Sequence, residues 1–83
     1  MIVQKPQFDV DHIKGGHVYH VSKKTRGYVE LSTNCIIVKV SPLMLEVMYY
    51  DVEDERMQVI SIAIHEVVNN VFTFTKMEVV KIG

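Results

Sequence analysis

Residues 65–69 read H-E-V-V-N, one substitution short of the H-E-x-x-H signature. In that signature two imidazoles at i and i+4 share one helix face and hold a zinc ion, with the glutamate as general base. Asn69 stands where the second histidine belongs, and an asparagine amide is a poor zinc ligand. The flanking V-I-S-I-A-I (59–64) repeats with a period of two rather than that of a helix. The stretch therefore predicts a strand end and a short link, with Val67 and Val68 capping the domain and His65 and Glu66 facing water. No zinc chemistry is expected from it.

The other chemistry-bearing residues are scattered. His17 and His20 lie three apart within a predicted strand, so they point to opposite faces and do not share an ion. His12 sits on the preceding turn, and nothing in the sequence requires it to join either one. Cys35 heads an apolar strand, with no nucleophile elbow or helix N-terminus behind it, and reads as a small, partly buried hydrophobe. Gly15-Gly16 lacks the remainder of any phosphate-binding loop. No catalytic residue, metal site or cofactor is expected, and the chain reads as a non-enzyme.

The elements that would position any site are strands. Valine, isoleucine and threonine supply about a third of the 83 residues, a bias toward pleated, half-buried surfaces. D-V-D-H-I-K-G-G (9–16) predicts a short helical turn, with Asp9 as N-cap and Gly15 at its stop. H-V-Y-H-V (17–21) reads as a first strand, S-K-K-T-R-G (22–27) as a polar basic loop, and G-Y-V-E-L (27–31) as a short extended piece. C-I-I-V-K-V (35–40) alternates around Ile36, Val38 and Val40 before Ser41-Pro42 breaks it. Residues 43–51 then set Leu43, Leu45, Val47 and Tyr49 on one face. An acidic loop (52–55) leads to a clean alternation at 56–64, and V-F-T-F-T (71–75) alternates again, with 77–82 extending or following it. These elements predict one domain over 1–83, with 1–15 as an arm or short helical turn. The fold class is all-β, a small five-stranded antiparallel barrel, partly open.

Two surfaces stand out as contact sites. If Leu43, Leu45 and Val47 point inward, then Met44, Met48 and Tyr50 point outward, with Ile37 beside them on the neighbouring strand. Flexible methionines and an amphipathic tyrosine suit a protein contact, a homodimer included. The second surface joins Lys23, Lys24 and Arg26 with Tyr19 and Tyr28, a combination able to grip phosphates and stack bases. The net charge of −1 lacks the basic excess that nucleic-acid binding usually brings, so protein is the preferred partner.

With a single cysteine there is no internal disulfide, which favours a reducing, cytoplasmic setting. Neither a signal-peptide core nor an apolar run of membrane-spanning length is visible, and a soluble protein is expected.

From about Gly16 to Phe74 the chain resembles the Veg family of small bacterial proteins. Gly16 opens the first strand, Lys23-Lys24-Thr25-Arg26 forms the basic loop, and Ser41-Pro42 breaks two long strands. I-S-I-A-I-H-E-V-V (60–68) is similar to the family's alternating strand, with Glu66 where the family has an aspartate. The resemblance implies a barrel like that of Src-homology-3 (SH3) domains and a regulatory role without catalysis. Family members are associated with biofilm regulation through a transcriptional regulator. The proline-peptide mode of SH3 interaction domains is not expected, because the chain has no tryptophan. An Sm-like RNA-binding barrel is disfavoured by Ser41-Pro42-Leu43-Met44 and Asn69-Asn70, where that class needs a nucleotide-binding loop and an arginine-glycine turn.

Overall fold

Alternating branched side chains build an antiparallel sheet, and its hairpins are set by a few turn residues. The structure, a computed structural model, describes residues 3–4 and 6–77. Strands β1 (Val3–Gln4) and β2 (Gln7–Phe8) pair as a small separate hairpin. A single turn follows, closed by the Ile13 N–H donating to the Asp9 carbonyl at 2.9 Å. The Asp9 carboxylate accepts from the Asp11 N–H at 3.2 Å and contacts His12 Nδ1 at 2.6 Å, as its expected capping role requires. The left-handed residue that ends the segment is Gly16 (φ +88°), not Gly15.

The main sheet contains β3 (Val18–Thr25), β4 (Tyr28–Val40), β5 (Met44–Asp51), β6 (Arg56–Ala63) and β7 (Phe72–Lys76). Their order is β6-β5-β4-β3-β7, antiparallel throughout, a meander whose last strand returns beside its first. Among the described residues β6 and β7 do not pair with each other, so the expected barrel is here an open five-stranded sheet.

The basic segment is not a loop. β3 runs on to Thr25, which pairs with Tyr28 across a two-residue turn of Arg26 (φ +52°) and Gly27 (φ +81°). Two consecutive positive φ values match the natural twist of a hairpin, so the strands continue to its tip. Arg-Gly is an unusual pair for such a turn, and the polar run hid the strand.

Ten buried side chains form the core: Phe8 and Ile13 from the N-terminal segment, Tyr19 and Val21 of β3, Cys35 and Ile37 of β4, Leu45 and Val47 of β5, Ile62 of β6 and Phe72 of β7. Tyr19 meets Phe74 edge to face, ring centroids 6.1 Å apart. The N-terminal segment covers this inner face and is tied to it by the Phe8 N–H, which donates to the Pro42 carbonyl at 2.8 Å. β4 takes the opposite phase from the one expected. Cys35 and Ile37 point inward while Ile36 and Val38 point outward, and a bulge between Ile37 and Lys39 then turns Val40 back in. Leu43 likewise lies outside the core, exposed in the β4–β5 turn.

The near-zinc stretch forms a one-turn helix, α1 (Ile64–Val68), rather than a strand end. Its closure explains the departure. Asn70 adopts φ +60°, the Val71 N–H donates to the Glu66 carbonyl at 2.8 Å, and the Asn70 N–H donates to the Val67 carbonyl at 3.1 Å. This pair of bonds is a Schellman closure with asparagine in the left-handed position. Val67 packs on the core and His65 is exposed as expected, but Val68 is exposed and caps nothing. No helix among the described residues is long and apolar enough to cross a membrane.

Candidate interaction surface

Side chains directly opposite one another on antiparallel strands share a face, so register converts the strand list into a surface. Val18 pairs with Ile36, Ile36 with Met48, and Met48 with Val59. Met77 extends the line beyond β7, its N–H donating to the Val18 carbonyl at 3.2 Å. An apolar row therefore crosses the whole outward face. Its members are 38% (Met77), 38% (Val18), 39% (Ile36) and 56% (Val59) exposed, with Met48 half-buried among them. Val38, Met44, Tyr50 and Met57 are also exposed on these strands and flank the row.

Met44, Met48 and Tyr50 thus lie on the outward face that sequence periodicity assigned to them. Ile37 does not. It is 1% exposed, pairs with Val47 inside the core, and yields its place to Ile36. The run C-I-I-V is apolar at every position, so alternation alone left its phase undetermined. Val18, Val59 and Met77 were missed altogether. Each is unremarkable in its own strand, and the signal that unites them is register.

The basic surface is only partly assembled. Tyr19 is a core residue, 5% exposed, and has no face to offer a base. Lys23 is half-buried, with its ammonium 3.5 Å from the Glu30 carboxylate and 5.5 Å above the Phe72 ring. Its β3 position, facing the interior rather than a loop, accounts for both contacts. Lys24, Arg26 and Tyr28 are all exposed near the tip of the β3–β4 hairpin, but Lys24 pairs with Val29 and Tyr28 with Thr25, so these two lie on opposite faces.

A cleft of about 440 Å³ opens beside β6, lined by Lys23, Glu30, Leu31, Tyr49, Ile60, Ser61, Glu66 and Phe72. It lies where the sheet fails to close. The Glu66 carboxylate at its margin accepts from the Ala63 N–H at 3.0 Å. Burial raises the Tyr49 hydroxyl above its ordinary value, with nearby Asp51, Cys35 and Asp54 adding to the effect.

The histidines are separately engaged or exposed. His20 contacts Asn34 Oδ1 and Ser32 Oγ, each at 2.9 Å, and His12 is held by Asp9. Burial pushes the Asp9 carboxyl up, but the hydrogen bond and charge of His12 and the Asp11 N–H outweigh it and leave the group below its usual value. Among the described residues no three His, Cys, Asp or Glu side chains gather closely enough to hold a metal ion. Cys35 is fully buried, and burial pushes its thiol up to about 11, so it is a poor nucleophile near neutrality.

No protein-family model matches the chain, and neither a curated protein nor a solved structure matches it. The functional reading therefore stands on geometry.

Proposed function

We propose that this chain is a non-enzymatic protein-binding module of the SH3-like class, acting in the cytoplasm as a small regulator of the Veg type. The observation that carries the binding reading is the apolar row Met77–Val18–Ile36–Met48–Val59. Exposed apolar side chains that stand singly need no explanation, but a contiguous stripe spanning a sheet is characteristic of a contact surface. Met48 and Met77 give the stripe adaptable side chains, and Tyr50 beside it supplies an aromatic anchor with a polar tip. The meander with its returning fifth strand and the one-turn helix before that strand support the SH3-like assignment.

A partner that uses this face loses its contact when one charge enters the row. The test is affinity capture from the native host with wild-type protein, an Ile36→Asp variant and a Lys23/Lys24/Arg26 triple alanine variant. The reading expects a stoichiometric companion that is lost with Ile36→Asp and kept by the triple variant. The reverse pattern, with oligonucleotide binding that weakens steeply as salt rises, is what a nucleic-acid module at the hairpin tip gives, and it would replace the protein reading.

A further inference from the structure

Among the described residues β6 is an edge strand, and its outer side can be read residue by residue. In an antiparallel pair each residue directs both its N–H and its C=O either at the neighbouring strand or away from it, in alternation. The Ile64 N–H donates to the Leu43 carbonyl at 3.0 Å, so Ile64, Ile62, Ile60 and Gln58 face β5. Met57, Val59, Ser61 and Ala63 therefore face the open side. Ala63 confirms the assignment, since its N–H is taken by the Glu66 carboxylate rather than by β5. Among the described residues, what remains open is the backbone of Met57, Val59 and Ser61, three residues symmetric about Val59.

Natural sheets protect such edges with charge, proline or a bulge. Residues 57–63 (M-Q-V-I-S-I-A) contain no charged residue and no proline, and the β5–β6 register is unbroken. The opposite edge strand, β7, is shorter and carries threonine at 73 and 75, whereas the one charge on β6 is Arg56 at its first residue. β6 is thus an edge built to be covered, and the apolar row runs out on it at Val59, with exposed Met57 beside it.

We propose that β6 is a homodimerisation edge, pairing antiparallel with β6 of a second copy about a two-fold axis at Val59. That register uses every open group. Met57 meets Ser61 of the second copy, Val59 meets Val59, and Ser61 meets Met57. A register centred on Ile60 instead sets Met57 against Ala63, whose N–H is already engaged. The chosen pairing also joins the two apolar rows end to end across one continuous sheet. An unrelated extended peptide would satisfy the ladder equally well, but it has no reason to match the two-fold symmetry of the open groups. The inference does not depend on which partner the outward face binds.

Cysteine cross-linking in the full chain tests it, with light scattering to read mass. In the dimer the two Val59 Cα atoms form a hydrogen-bonded pair about 5.5 Å apart, inside the roughly 4.4–6.8 Å range that a disulfide spans. Val59→Cys is expected to oxidise to a covalent dimer. Met57→Cys alone is not, because its two copies lie about 13 Å apart along the strands, whereas the Met57→Cys/Ser61→Cys double variant is. Cys35 stays silent, being fully buried. Val59→Pro removes the central N–H, and its mass should halve relative to wild type while its circular dichroism is kept; should that variant fail to fold, the cysteine series still decides. A monomeric wild type at high micromolar concentration overturns the proposal, as does Met57→Cys linking as fast as Val59→Cys. Efficient linking by Ile36→Cys also overturns it, because that residue meets its copy only when outward faces, rather than edges, come together.

Discussion

Ile36 and Ile37 are neighbours of identical chemistry with opposite fates. Ile37 is sealed in the core against Val47, while Ile36 stands in the outward row against Met48. The same contrast separates Leu45 from Met44 on β5. Both faces of these strands are apolar, so hydrophobicity did not choose between them. Cover did: Phe8 and Ile13 fold over one side, and none of the described residues folds over the row on the other. A sheet with two apolar faces and one internal cover has a face left for something else, and this asymmetry is the physical basis of the binding reading.

The sharpest way to break that contrast is to place one charge on each face. Ile37→Asp buries a carboxylate without a partner, at a cost of several kcal/mol. A domain of this size holds on the order of 4–12 kcal/mol in total, so the variant should be largely unfolded by circular dichroism. Ile36→Asp should unfold within about 0.5 kcal/mol of wild type. Equal damage from both would mean that the outward row is core. Truncation gives a gentler version. Leu45→Ala is expected to lower stability in urea by about 2–5 kcal/mol, and Met44→Ala by less than about 1 kcal/mol.

Asn70 tests the turn that carries the chain from β6 to β7. Its φ of +60° penalises a β-branched side chain, so Asn70→Val should cost about 1–2 kcal/mol while Asn70→Gly is near neutral. A smaller effect comes from pH. The thiol of Cys35 is raised from 9.0 to about 11 in the folded chain, so the unfolded chain loses that proton first. The stability tied to this proton is intact below about pH 9 and is lost as pH rises toward about 11. Tyr19 and Tyr49, also raised by burial, act in the same direction at the alkaline end. Urea midpoints measured across this range should fall with pH, and less so in Cys35→Ala. A slope unchanged in that variant would show that the inner face at β4 is wetter than its burial implies.

Much of the strand content was legible from alternation alone. β5, β6 and β7 fall within a residue or so of their expected bounds, because branched residues at every second position leave few other options. The hairpin tip at Arg26-Gly27 and the helical turn at 64–68 were not legible. Both depend on backbone conformations, at Arg26 and Asn70, that side-chain periodicity does not encode. The site was half legible. Met44, Met48 and Tyr50 follow from period two on a single strand, but Ile36, Val18, Val59 and Met77 become neighbours only through pairing.

By itself the sequence determined an antiparallel all-β chain with a small apolar interior and a surplus of outward hydrophobes. Those properties depend on spacing along one strand, which the chain carries locally. Tertiary structure alone decided which of two adjacent isoleucines is buried, that Tyr19 and Lys23 are withdrawn from the basic surface, and that four strands and Met77 line up one continuous row. Those outcomes depend on register, on a bulge after Ile37 and on where the N-terminal segment lies. Each is a relation between distant residues, and no local pattern contains it.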